Sequence, residues 1–186
     1  SYYVLLTLYR DTVGVDISTT QDFAVTDSQG NVVANLTSTI DSLATHPIFG
    51  TVQGGLMPMF PYGVEIYFYS ASINLPNPGE YTVSWENCCR NEIIGNITNA
   101  SSENMSLHTT FTNDVSQNDS SPYFLVKPVV YLPVNTPWQY NPLPIDPDGD
   151  SLNWFIGTPN NALGTPIATY IDPPSDPSNV LSMDPV

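Results

Sequence analysis

Three aspartates alternate at positions 146, 148 and 150 within Pro144-Ile145-Asp146-Pro147-Asp148-Gly149-Asp150-Ser151. Carboxylates at alternate positions of a tight turn aim their oxygens at one spot. A hard cation taking roughly six to eight oxygen ligands relieves that crowding. Without a cation, like charges so close repel and raise one another's pKa. Pro147 presets the approach of the chain, and Gly149 lets the backbone double back among the ligands. An EF-hand would also need a glutamate closing its loop, and Leu152-Asn153-Trp154-Phe155-Ile156-Gly157 stands where that residue would fall. The stretch reads as a calcium turn leading into a strand, against the plain alternative of an acidic hairpin turn without metal.

Other residues with chemical potential are sparse. Cys88 and Cys89 are the only two cysteines, and they are adjacent. Neighbouring Cα atoms lie about 3.8 Å apart across a trans peptide, short of the usual disulfide span, so a strained vicinal disulfide and a pair of free thiols both stand. Arg10 and Arg90 are two of only three cations and have carboxylates close by in sequence, Asp11 and Glu92. A guanidinium satisfies carboxylates and loop carbonyls well, so both arginines are expected to be structural, fixing the Cys88–Asn96 loop against the first strand. His46 and His108 lack clustered partners. The sequence contains no Gly-x-Ser-x-Gly, His-Glu-x-x-His or phosphate-binding glycine loop, so we expect no catalytic residues. Trp85 and Trp154 lie in alternating runs and are expected in the core. Trp138 follows the proline-rich Leu132–Pro137 stretch and is the candidate for an exposed, ligand-stacking aromatic.

These residues must be positioned by strands. Ser1 to Arg10 is rich in tyrosine and β-branched residues. Asp22 to Asp27 and Val32 to Leu36 flank Ser28-Gln29-Gly30-Asn31, a hairpin turn. Thr37 to Tyr62 reads as loop. Val64 to Ile73, Glu80 to Glu86 and Ser106 to Thr112 alternate between apolar and polar residues, and no window carries a helical period. The polar Asn113–Ser121 stretch marks a composition shift. Beyond it, strands are expected at Tyr123 to Val134, Ser151 to Ile156 and Ile167 to Ile171. The expected architecture is all-β, with two immunoglobulin-like β-sandwich domains in tandem at 1–117 and 118–186. The second is short against the roughly 100 residues of such a sandwich, and its final strands are expected to be missing or supplied by another chain.

With 18 acids against 3 lysines and arginines, the formal charge is −15. This excludes nucleic-acid binding, which needs cations to neutralise phosphate, and it disfavours electrostatic docking on anionic membranes. No apolar span of about 20 residues is present, so direct membrane insertion is not expected, and any targeting segment lies outside this stretch.

Two patterns resemble known modules. Tyr9-Arg10-Asp11, then Leu75-Pro76-Asn77-Pro78-Gly79-Glu80-Tyr81, then Cys88-Cys89-Arg90-Asn91-Glu92-Ile93-Ile94-Gly95-Asn96-Ile97 resemble a module of gliding-associated and secreted surface proteins of Bacteroidetes-type bacteria. Relatives often carry a third cysteine after the Tyr-Arg-Asp, and here Thr12 stands there, which leaves the vicinal and free-thiol readings in place. Asn118-Asp119-Ser120-Ser121-Pro122-Tyr123-Phe124, with Asp146-Pro147-Asp148-Gly149-Asp150 downstream, is similar to a cadherin-like repeat that binds calcium at a domain junction. The resemblance implies calcium held by Asp146, Asp148 and Asp150 with Asp119 and Asn118. It also implies a non-enzymatic, extracellular, adhesive segment of a bacterial cell-surface protein, whose partners are neighbouring domains of the same long chain. A self-assembling fibre built by strand exchange between identical subunits, and a carbohydrate-binding module for cell-surface glycans, are the alternatives.

Overall fold

Val, Ile, Tyr, Phe and Thr at alternating positions favour a pleated surface with one face buried, and such runs account for the six long strands. The computed structural model describes residues 1–45, 63–114, 116, 119–128, 141–155 and 157–171. Its strands are β1 (Tyr2–Asp11), β2 (Thr20–Asp27), β3 (Val32–Thr45), β4 (Val64–Ile73), β5 (Gly79–Asn87), β6 (Met105–Asn113), β7 (Tyr123–Phe124), β8 (Pro144–Ile145), β9 (Asn160–Ala162) and β10 (Thr165–Pro166). The one helical element among the described residues is a 3-10 turn at Ala100–Ser102. The chain is all-β. Residues Ser1–Asn113 with Ile156–Val186 form one compact unit, and Asp114–Phe155 form another.

In the first unit the strands are hydrogen-bonded in the order β1-β4-β3-β2-β5-β6-β9-β10, each pair antiparallel. β3 turns this single ladder into two layers. It pairs with β2 from Val32 to Thr39 and with β4 from Ile40 to Thr45. The register slips between Ile40 and Ser42, a bulge that bends the strand and lets it serve both layers. The strand therefore runs on to Thr45, where the sequence reading expected loop from Thr37. Ser38 fixes the crossing, its hydroxyl donating to the Ser70 carbonyl at 2.6 Å.

The two layers close on one core. Leu6 of β1 and Tyr69 and Ile73 of β4 are buried against Phe23 and Val25 of β2 and Tyr81, Val83 and Trp85 of β5. The buried indole N–H of Trp85 donates to Gln21 Oε1 at 2.9 Å, and Tyr69 donates its hydroxyl to the Ser18 carbonyl at 2.6 Å. Trp85 is thus a core residue, as expected. At the rim the Tyr2 and Phe111 rings lie 4.7 Å apart, and the Tyr2 hydroxyl donates to Asn113 Oδ1 at 2.9 Å.

The segment 157–171, which the sequence reading assigned to the second domain, is woven into the first unit. β9 joins β6 at Ser106↔Asn160, and Ile167 is buried in a small second core with Ile97 and Ala100. The strand expected over Ile167 to Ile171 reduces to one bridge, Ile97↔Tyr170, because the partner segment turns into the 3-10 helix at Ala100 and offers no longer edge. No strand forms over Ser151–Phe155, where alternation finds no neighbouring edge and Phe155 stays exposed. The hairpin β9–β10, closed through Leu163-Gly164 with Gly164 at φ 69°, was not foreseen.

The second unit contains the β7–β8 pair, Tyr123↔Ile145 and Phe124↔Pro144, continued by Leu125 and Val126 N–H groups donating to the Leu143 and Pro142 carbonyls at 3.1 Å. Of the strand expected over Tyr123 to Val134, residues from Val129 onward lie outside the described residues.

Candidate functional site

The acidic turn leads out of β8. Asp146 Oδ1 accepts the backbone N–H of Asp148 at 2.9 Å and that of Asp150 at 3.1 Å. Gly149, at φ 85°, makes the reversal that brings the Asp150 N–H back onto that oxygen; a side chain there would be strained. Asp148 Oδ2 accepts the N–H of Ser120 at 2.7 Å, tying the turn to the linker residue that follows Asp119. The turn and the linker, 28 residues apart in sequence, are therefore brought together. The Asp146 and Asp148 carboxylates accept backbone donors, and among the described residues no three His, Cys, Asp or Glu side chains converge into a group that could hold a metal ion. As placed, the aspartates build a turn and do not form a ready cage. Asn118 and Trp138 lie outside the described residues, as does His46.

Arg10 sits at the end of β1 as a clamp. Its Nη1 donates to Glu65 Oε2 of β4 at 2.8 Å, Nη2 to Asp16 Oδ1 at 2.6 Å, Nε to the Val15 carbonyl at 2.8 Å and Nη2 to the Gly14 carbonyl at 2.7 Å. Five donors in a planar fork suit this set, and the hydrogen bond to Glu65 raises the guanidinium pKa further. Asp11, the expected partner, instead accepts the Val13 N–H at 3.0 Å and shapes the turn that brings Asp16 back. Tyr67 donates to the same Glu65 at 3.1 Å; partial burial and that hydrogen bond raise its phenol pKa.

Arg90 does not reach the first strand either. Its Nη2 donates to the Asn160 carbonyl at 2.9 Å, and its backbone N–H donates to Glu103 O at 2.8 Å. The Cys-Cys-Arg loop is thus fixed against 157–171. Three further hydrogen bonds cross the same seam: Asn104 N–H to Asn161 Oδ1 at 2.6 Å, Leu163 N–H to Glu86 Oε1 at 2.7 Å, and Thr169 hydroxyl to Glu103 Oε1 at 2.7 Å. Side chains on both partners are short and polar, a pattern without the periodicity that reveals an element in sequence. Cys88 and Cys89 are placed as a vicinal disulfide at the exposed start of this loop.

One feature had no signal in the sequence. An apolar cleft of about 170 Å³ opens between Val4–Leu6 of β1 and Leu107–Thr109 of β6, floored by Phe23, Val83 and Trp85.

Among the described residues no helix is long and apolar enough to cross a membrane. The chain matches no protein-family model, no curated protein and no solved structure.

Proposed function

We propose that this chain is a non-enzymatic structural and adhesive segment of an extracellular bacterial surface protein. It would hold two immunoglobulin-like units in tandem. Calcium belongs to this reading as the ligand of the acidic turn, with oxygens from Asp146, Asp148 and Asp150 joined by Asp119 and Asn118. The observation that carries the reading is the Ser120 N–H on Asp148 Oδ2 at 2.7 Å: the acidic turn grips the linker beside Asp119, the place where a cation would stiffen a junction. A carboxylate has about four lone-pair sites, so an oxygen that serves a backbone donor still has room for a cation.

The test is calcium titration by calorimetry, with melting curves in millimolar calcium and in chelator. Saturable binding and a higher melting temperature in calcium, both abolished by Asp148→Ala, are expected. Identical melting in calcium and chelator would remove the ion from the reading.

A further inference from the structure

The two layers of the first unit are unequal. One consists of β1, β4 and the second half of β3, and the other of the first half of β3 with β2, β5, β6, β9 and β10. Among the described residues no further strand pairs with β1 to extend its layer over β6. Directly paired residues of antiparallel strands share a face, so Leu107, Thr109 and Phe111 point the same way as their partners Trp85, Val83 and Tyr81. Those three partners are buried, whereas Leu107 is 54% exposed. Phe111 at one end of this row packs against Tyr2 and Tyr81, while the Leu107 end is left partly uncovered. The strand that would cover it lies beside β1, whose outer edge ends the ladder and whose outward Tyr3 and Leu5 are each 77% exposed. Proteins ordinarily blunt a long edge strand with charge or proline, and Tyr2 to Tyr9 contains neither. The cleft of about 170 Å³ along this edge has room for one large side chain, since an apolar cavity of about 150 Å³ accepts benzene.

The second unit has the opposite deficit. Its described sheet is two strands of two residues each, fewer than the roughly three that a sheet needs for independent stability. Tyr123, Phe124 and Leu125 stand exposed on it.

We propose that the β1 edge and its cleft accept the Tyr123–Val126 strand of a second copy of this chain, with Phe124 or a neighbour filling the cleft. Charge permits contact at these surfaces: a chain of net charge −15 repels its copies, least where acids are missing. Tyr2–Tyr9, Leu107–Asn113 and Tyr123–Val126 contain none, and the only lysine, Lys127, closes the donor run. Acceptor and donor are different surfaces, so the contact is head-to-tail and propagates into a ring or an open filament. The contact requires no cation, so its test is run in chelator and stands apart from the calcium reading.

Sedimentation velocity and light scattering over a concentration series give the test. The wild-type chain is expected to grow in mass with concentration. Leu107→Asp, which damages the acceptor, and Phe124→Asp, which damages the donor, are each expected to weaken association about ten- to a hundred-fold, the effect of losing one buried large apolar side chain. Leu5→Lys, on the outward face of β1, repeats the acceptor test without touching the core. Mixing Leu107→Asp with Phe124→Asp leaves one intact acceptor and one intact donor, so the mixture is expected to stop at a one-to-one dimer. A wild type that stays monomeric at its highest soluble concentration overturns the proposal. So does assembly unaffected by both acceptor variants, or a mixture that remains monomeric while the wild type assembles.

Discussion

Gln21 and Trp85 form a pair whose removal can be worked out in advance. Both are buried at 4% exposure, and the indole N–H donates to Gln21 Oε1 at 2.9 Å. Gln21→Met keeps the length and shape of the side chain and removes the acceptor. The indole N–H is then orphaned in an apolar core, which costs about 1–3 kcal/mol. Gln21 also donates to the Ser18 carbonyl at 3.2 Å, but that carbonyl keeps the Tyr69 hydroxyl at 2.6 Å, so no second orphan appears. Trp85→Phe removes the N–H together with part of the ring and has its own cavity cost. With phenylalanine at 85 there is nothing left to orphan, so Gln21→Met should then be close to neutral. The double-mutant cycle therefore predicts a coupling of about 1–3 kcal/mol. Urea unfolding followed by far-UV circular dichroism measures all four corners without relying on tryptophan fluorescence. If the two substitutions add within about 0.5 kcal/mol, the hydrogen bond is not what holds Trp85 at the floor of the cleft.

Other consequences follow from the same geometry. In chelator, Asp146→Ala removes the acceptor for two backbone N–H groups on an exposed turn and should cost at most about 1–2 kcal/mol, most of it recovered by Asp146→Asn; amide exchange at Asp148 and Asp150 reports it. A calcium site with a dissociation constant about ten-fold below the ambient concentration would add about 1.4 kcal/mol, read as a rise in melting temperature that Asp148→Ala abolishes. Arg10→Lys keeps the charge but cannot hold Glu65, Asp16 and two carbonyls at once; it should lower the melting temperature nearly as far as Arg10→Met, and a full rescue by lysine would count against the clamp. The Asp27 carboxyl is held below its ordinary pKa, first by the Asn31 side chain and then by backbone N–H groups of the β2–β3 turn. A depressed carboxyl stabilises the fold above its unfolded pKa of about 3.9, and that contribution is lost as pH falls through the lower folded value. Asp27→Asn should therefore flatten the acid limb of stability below pH of about 4, and an unchanged limb would place the effect elsewhere.

The parts of the molecule that could be read from the sequence are those where one strand decides its own fate. β4 runs from Val64 to Ile73 because ten residues alternate without a breaker, and β1, β2, β5 and β6 follow within two residues of the expected ends for the same reason. β3 was read short. Its second half, Ser38 to Thr45, is Thr/Ser-rich and looks like loop until β4 supplies the edge that holds it. Ser151–Phe155 failed in the opposite sense: Leu152 and Trp154 alternate well, but alternation alone cannot supply a neighbour. The segment 157–171 was hidden by its chemistry. It is held through polar side chains, backbone hydrogen bonds and a single buried apolar residue, Ile167, so nothing periodic in its pattern says which unit it joins. The arginines follow the same rule: sequence neighbours suggested Asp11 and Glu92, whereas a turn brings Asp16 to Arg10 and a ladder brings Glu65.

The acidic turn and the cleft differ in what sequence can say about each. The aspartates at 146, 148 and 150 announce themselves by spacing, and the fold adds that Asp146 accepts two backbone N–H groups of the turn and Asp148 that of the linker residue Ser120. Carboxylates that hold their own turn let the loop stand without a cation. The stability difference between calcium and chelator is thus the deciding quantity for the junction. The cleft gives no such signal, because it forms where the edge strand β1 meets β6, two strands about a hundred residues apart in sequence. Leu107 is a good core residue in a good strand, left half uncovered by topology alone. The occupant proposed for the cleft is an extended segment with a large apolar side chain, and Tyr123, Phe124 and Leu125 stand exposed on and beside β7.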